Sequence, residues 1–173
     1  DALRVLGAKK NLRLLQVAPE TPALVVKSIG GGFLAQTPDL HRLDRSSAQV
    51  KTKRAPSDQE WDALTFGWKV VKHVKSNAIV YARPGQLVST GAGQMSRIDS
   101  MRFGAMKAVL PVAGSVVASD AFFPFPDNIE EAAKQGVTAL IQPGGSVNDA
   151  QAIEAADRLG LAMVFTGVRH FRH

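Results

Sequence analysis

The sequence predicts an α/β domain in which a sheet carries helices on its faces. From residue 57 onward, short apolar runs alternate with segments of helical period. The helical segments have recognisable starts, the clearest being Ser57 followed three residues later by Glu60. The apolar runs are bounded by Gly and Pro, which punctuate strands rather than continue them.

Before residue 57 the pattern is looser. Residues 12–17 and 24–29 read as short strands and 33–36 as a third apolar stretch. Gly30, Gly31 and Gly32 read as a turn or bulge, because no Lys-Ser/Thr follows to complete a phosphate loop. Residues 37–56 are polar and irregular, as a linker would be. The expected division is therefore an N-terminal region of strands and linker over 1–56 and an α/β unit over 57–173.

Ser57 and Glu60 form a capping box, and Trp61, Leu64, Trp68 and Val71 give the helix behind it one apolar face, ending near Val74 or Lys75. Residues 77–83 and 86–90 read as strands joined by a Pro84-Gly85 turn. Ser96 caps a helix expected to turn Ile98, Met101, Ala105 and Ala108 inward. Residues 116–118 suggest a buried strand, and Asp127 or Asn128 caps a short helix through Ala133. A strand at 138–142, a turn at 143–146, a helix at 148–159 and a strand at 162–166 complete the alternation.

Composition narrows the function. The chain of 173 residues, 45% hydrophobic and 21% charged, can bury a core, so disorder over most of its length is not expected. There is no cysteine, which removes disulfides, thiolate metal sites and a cysteine nucleophile and fits a reducing, cytoplasmic setting. No apolar run approaches the roughly 20 residues of a membrane span, so no membrane partner is expected. The first residue is Asp, as in a chain that begins inside a longer protein. The net charge of +6 lies in the first part: residues 1–75 hold 13 Lys/Arg against 7 Asp/Glu, and 76–173 hold 8 against 8. The basic residues are interspersed with acids and carry few aromatics, which favours a solvated face over a polyanion-binding one, and no nucleic-acid partner is expected.

In α/β sheets, ligands gather where loops leave strand ends. Ser76-Asn77, the loop from Gly91 to Arg97, the loop from Ser119 to Asp127, the loop from Pro143 to Ser146 and the terminal Arg169-His170-Phe171-Arg172-His173 are such segments. Arg97, in the first turn of its helix, opposes the helix dipole, so a ligand or a carboxylate must account for it if it is more than a surface arginine on a tight turn. Phe122, Phe123 and Phe125 put three aromatics into one Pro-containing loop, which either meets a flat ligand or partner or folds under into the core. Asp120 and Asp127 flank it, and either could accept hydrogen bonds from a heterocycle. Lys72-His73 reads as a solvated helix end. His41, His73, His170 and His173 form no convincing metal cluster.

Five strings occur together in order: Lys75-Ser76-Asn77-Ala78-Ile79-Val80-Tyr81-Ala82, Gly91-Ala92-Gly93-Gln94-Met95-Ser96-Arg97, Ala118-Ser119-Asp120-Ala121-Phe122-Phe123-Pro124-Phe125, Ile141-Gln142-Pro143-Gly144-Gly145-Ser146 and the terminal Arg169-His170-Phe171-Arg172-His173. With them the chain resembles the C-terminal part of the bifunctional AICAR transformylase/IMP cyclohydrolase family. The resemblance implies a cytidine-deaminase-like mixed sheet with helices on its faces, preceded by an N-terminal linker region. It implies formyl transfer from 10-formyltetrahydrofolate, as cosubstrate, to the 5-amino group of AICAR ribonucleotide, in a homodimer. Asn77, Arg97 and Arg169 then correspond to AICAR contacts. Ile98, Phe122, Asp127, Ser146 and Val147 correspond to folate contacts. Asp120 lies near a monovalent-cation (K+) site of some members, and Asn77 and His173 are candidates for supporting catalytic roles. Arg97→Ala is accordingly expected to weaken AICAR binding with little loss of stability.

The chain departs from the family in two respects. The family's Lys-His-x-x-Pro-x-Gly catalytic string is absent, and Lys72-His73, with no Pro or Gly behind it, does not replace it. The cyclohydrolase domain is absent as well. The resemblance therefore implies half of one active site, inactive alone. A non-enzymatic nucleotide- or folate-binding module is the alternative.

Overall fold

The computed structural model describes residues 1–18 and 23–173, which divide into two compact units, Asp1–Leu40 and His41–His173. The smaller unit holds a short helix, α1 (Ala2–Gly7), and an antiparallel hairpin of β1 (Val25–Ile29) and β2 (Gly32–Gln36). The hairpin turns at Gly30-Gly31, where Gly31 has φ +82°, so the triple glycine is a turn as expected. The strand expected at 12–17 does not form: that run finds no ladder partner among the described residues, and apolar character alone does not make a strand. The helix α1 has no side-chain cap bond, and no cap signal foretold it.

The larger unit is a six-stranded mixed sheet in the order β3-β8-β7-β6-β4-β5. Its strands are β3 (Gln49–Val50), β4 (Ile79–Arg83), β5 (Gln86–Gly91), β6 (Val116–Ser119), β7 (Ala139–Gln142) and β8 (Ala162–Phe165). β6, β7 and β8 run parallel, and the other neighbours pair antiparallel. Helices α2 (Asp58–Val71), α3 (Arg97–Met106), α4 (Asp127–Lys134) and α5 (Asp149–Arg158) cover it.

Strand alternation sorts the core into two layers. Val80, Ala82, Ala118, Ile141 and Val164 face α2 and meet Trp61, Leu64, Trp68 and Val71. Ile79, Tyr81, Val117, Leu140 and Met163 face the opposite way and meet Met101, Ile129, Ala152 and Ala156 from α3, α4 and α5. These central strands are buried on both faces, which is why they read as continuous apolar runs. The expected α/β architecture is therefore observed.

The units divide at residues 40/41, earlier than the expected boundary at 56/57. Residues 49–54 belong to the sheet unit because β3 pairs with β8 and Thr52 Oγ1 accepts a hydrogen bond from Met163 N–H at 2.8 Å. Arg54 then clamps the end of the sheet where β7 and β8 begin. It holds Glu60 with two bonds of 2.8 Å, reaches Gly160 O at 2.9 Å, and donates to Thr138 O. Ser57 and Glu60 form the capping box anticipated for α2. That helix stops at Val71 rather than near Val74, with Lys72 at its C-cap.

Two other helices depart from expectation. The buried side of α3 is Ser100, Met101 and Gly104; Ile98 and Ala105 are half-buried, and Ala108 lies past the helix end. α4 is preceded by Pro126 at the N-cap, not Asp127 or Asn128, and no side-chain cap bond forms; a proline has no N–H to leave unpaired at a helix start.

α3 lies so close on β5 that a Cβ at Gly91 would stand 1.7 Å from Ser100 O. Gly91→Ala is expected to destabilise the unit by ~1–3 kcal/mol or more through overpacking, read as a lower urea midpoint at unchanged slope. Burial alone would raise the Glu60 carboxyl, but hydrogen bonds from Arg54 and from Ser57 N–H outweigh it and hold it at about 2, below its ordinary 4.5. A depressed pKa of this kind stabilises the fold above about pH 4.5, and the contribution is lost as pH falls toward 2. Acid titration of thermal stability is expected to show that loss in the wild type and a reduced loss in Glu60→Gln.

Candidate functional site

Strand register brings the expected segments to one edge of the sheet. Ile79 pairs with both Gly91 and Ser119, so the start of β4, the end of β5 and the end of β6 lie together. The parallel strands β7 and β8 end beside them at Gln142 and Phe165. All five segments read as loop ends therefore converge within the larger unit, at the carboxyl ends of β6, β7 and β8.

The centre of this edge is a buried ion pair. Arg97 Nη2 lies 2.8 Å from Asp120 Oδ1, with the arginine side chain 9% exposed and the aspartate not exposed at all. The same nitrogen donates to Asn77 Oδ1 at 3.0 Å, and Nη1 donates to Phe122 O at 3.3 Å. The carboxylate is what keeps a cation at the start of α3, against its dipole. Asn77 is committed in turn: its Nδ2 donates to Gln94 O and Met95 O, and its main-chain carbonyl accepts from Ser100 Oγ. The loop from Gly91 to Arg97 is thus tied to the start of β4 and the end of β6 at once.

Asp120 also anchors the terminal segment, since its carbonyl accepts the His170 N–H at 2.9 Å. Ser76 N–H donates to Arg172 O at 2.9 Å, and Ser76 Oγ accepts from Arg172 N–H at 3.0 Å. The His170 ring is buried against Trp68, with ring centroids 4.7 Å apart. These contacts hold Arg169 on the rim, exposed, with its guanidinium 5.0 Å over the Phe122 ring. Among the described residues no carboxylate pairs with Arg169. His173 is exposed and stacks on Phe171 at 5.9 Å.

The aromatic loop divides. Phe123 is core, with its N–H donated to Gln142 Oε1 at 2.9 Å; Phe122 is half-buried and Phe125 exposed. Beyond it Asp127 is exposed and accepts from Asn128 Nδ2 at 2.7 Å. Across from that loop, Gly144 has φ +73° and no room for a Cβ, which would meet the Phe165 ring at 2.4 Å. Ser146 is half-buried, Val147 fully exposed, and Ile98 half-buried in the first turn of α3.

Two expectations change. Asp120 is not an open acceptor for a heterocycle: it is buried and one oxygen is taken by Arg97. Arg97→Ala cannot be neutral for stability, because it would strand that carboxylate. Lys72-His73 is the helix end anticipated, with Lys72 Nζ donating to His41 O at 3.0 Å and His73 exposed. The contact of His170 with Trp68 and the loop-holding roles of Gln142 and Asn148 are not foreseen from sequence. Only the Pro-Gly-Gly-Ser string before Asn148 hinted at one of them.

Two surface cavities, of about 560 and 450 Å³, lie elsewhere: one among Lys53, Ile153, Glu154 and Asp157, the other among Arg54, Glu60, Arg83 and Thr138. Neither contains an expected site residue.

The larger unit is thus a mixed α/β sheet whose strand ends gather a buried arginine–carboxylate pair, an exposed arginine and an aromatic ring. Residues 1–107 match the family described as AICARFT/IMPCHase bienzyme, and the chain belongs to that family. It is 54% identical over 187 residues to the bifunctional purine biosynthesis protein PurH of Roseobacter denitrificans, covering 100% of this chain and 35% of that protein. It is also 54% identical over 176 residues to PurH of Bacillus thuringiensis (strain Al Hakam), covering 34% of that protein. The chain therefore spans about a third of the length of the curated relatives it matches. Among solved structures, the dCMP deaminase of cyanophage S-TIM5 overlaps 56% of this chain and 88% of its own at a TM-score of 0.42 and 14% identity, an overlap that carries no argument here. Among the described residues no helix is long and apolar enough to cross a membrane, and no group of three or more His, Asp or Glu is placed to hold a metal ion.

Arg97→Ala is expected to cost about 3–5 kcal/mol by leaving Asp120 buried and unpaired. The double variant Arg97→Met/Asp120→Leu should recover most of that in chemical denaturation.

Proposed function

We propose that this chain is the C-terminal part of an AICAR transformylase and supplies the substrate-binding edge for AICAR ribonucleotide and 10-formyltetrahydrofolate in purine (IMP) biosynthesis. The observation that carries the proposal is the convergence of Asn77, Arg97, Phe122 and Arg169 at one sheet edge, in a chain of this family. Arg169 is the cation open to an anionic nucleotide, and Phe122 beneath it offers a face to a planar ring. Arg97 and Asn77 act chiefly by fixing the loops around the ligand, since Arg97 Nη1 and Nη2 and both Asn77 side-chain groups are engaged within those loops, while Arg97 Nε has no partner among the described residues. Ile98, Phe122, Asp127, Ser146 and Val147 form the folate side, with the exposed Asp127 carboxylate as the acceptor for heterocycle N–H groups.

In the transfer, the 5-amino nitrogen attacks the formyl carbon, the bond to folate N10 breaks, the amine loses a proton and N10 gains one. Nothing in this chain replaces the missing Lys-His string, so the proton carriers come from other chain. Asn77 and His173 take supporting roles. The intact enzyme works as a cytoplasmic homodimer, with the site completed by residues outside this chain. For a monovalent cation such as K+ near Asp120, the buried Asp120 Oδ2, without a hydrogen-bond partner among the described residues, is the candidate oxygen, and further ligands would have to come from residues outside this chain. The missing Lys-His string also favours a second reading, a non-enzymatic nucleotide- or folate-binding module.

Titration of the purified chain with AICAR ribonucleotide is expected to show saturable binding, weakened about tenfold or more by Arg169→Ala, a loss of ~1.4 kcal/mol or more. Unchanged affinity would count against the assignment. Formyl transfer is expected only from the intact protein. Transfer by the 173-residue chain at a comparable rate would refute the claim that it is half a site.

A further inference from the structure

Asn148 occupies the N-cap of α5, where an Asn side chain ordinarily accepts a hydrogen bond from a first-turn N–H. It makes no such bond. Its Nδ2 instead donates to Pro124 O at 2.7 Å, 24 positions away in sequence, while its own N–H donates to Ser146 Oγ at 3.1 Å. Neighbouring Asp149 accepts Gly145 N–H at 2.7 Å, a bond back to the preceding loop that leaves the first turn of α5 without a side-chain cap. The Asn148 amide is thus spent on a strut between two loops. One loop carries Phe122 and Asp127, and the other carries Ser146 and Val147. Gln142, buried below, holds the base of the first loop through Phe123 N–H, but the outer part beyond Pro124 is held to the second loop by Asn148.

We propose that Asn148 is a positioning residue that sets the spacing between these two loops and thereby the fit of the folate heterocycle. The inference rests on the reading of that side of the edge as the folate site. Asn148 does not touch the cosubstrate in this scheme; it acts through Pro124 and Ser146. The role depends on a donor, because its partner is a carbonyl oxygen. Aspartate is nearly the same shape and caps a helix as well or better, since a negative charge suits a helix N-terminus. It would nevertheless set oxygen against oxygen at Pro124. Serine also caps but is too short to reach.

The test compares Asn148→Asp and Asn148→Ser with the wild type in the intact protein. Thermal stability, the affinity for a non-reactive folate analogue and the affinity for AICAR ribonucleotide are each measured. Both variants are expected to keep the wild-type melting temperature or exceed it, to bind the folate analogue about tenfold more weakly, and to bind AICAR ribonucleotide unchanged. A residue that merely capped α5 would move none of the ligand affinities. If the wild type binds the analogue and neither variant weakens it, the positioning role is overturned and the functional reading stands. If the wild type does not bind the analogue, the reading falls and the proposal with it.

Discussion

The ion pair between Arg97 and Asp120 is the constraint on which the rest of the candidate site depends. A carboxylate with no solvent exposure is tolerable only when a cation and further hydrogen bonds compensate its lost hydration. That requirement fixes where the first turn of α3 sits, because the arginine must reach across to the end of β6. It draws in Asn77, whose amide bridges the arginine to the carbonyls of Gln94 and Met95. It also fixes the backbone of Asp120, which receives His170. Four separate stretches of chain therefore take their relative positions from one buried charge pair, and Arg169 and Phe122 meet as a result.

The close approach of α3 to β5 serves the same end. Gly91 and Gly104 remove the side chains that would hold the helix off the sheet, and a Cβ at Gly104 would itself meet Gly91 N at 2.9 Å. Tyr81, buried below, donates its hydroxyl to Met101 O at 2.8 Å, and burial pushes that phenol up from its usual range. The helix is thus seated by small residues above and by a neutral hydrogen bond within the core. Its N-terminus can then carry an arginine that its own dipole disfavours.

Much of this was legible in sequence where the signal was local. The capping box at Ser57 and Glu60, the Pro84-Gly85 turn and the strand–helix alternation each rest on neighbouring residues, and each formed. The five loop segments were legible because loops at strand ends carry polar residues and glycine, and they meet at one sheet edge. What was not legible depended on distant partners. Nothing near Arg97 identified Asp120, 23 positions away, as its carboxylate, so the sequence left a ligand and a carboxylate as equal explanations of the arginine. The division of the aromatic loop, with Phe123 inward and Phe122 on the rim, depends on Gln142 in another strand. Residues 12–17 failed as a strand for the same reason, since an apolar run becomes a strand only where another segment offers a ladder. The compact units divide before residue 57 because pairing of β3 with β8 is invisible in the polar composition of residues 37–56.

The Arg54 clamp lies at the opposite end of the sheet from the convergent loops. It joins the start of α2 to the residues that lead into β7 and β8. The sheet is thus tied at both ends, by the Arg54 clamp at one and by the Arg97–Asp120 pair at the other, with the continuous apolar strands between them. Changes that strengthen the clamp end, such as better packing around Arg83 and Gly114, can raise robustness without disturbing the loop edge, and that gain can offset destabilising change in the loops. Within the loop edge, variation is tolerable at exposed positions such as Val147 and Phe125 but not at the buried Arg97–Asp120 pair.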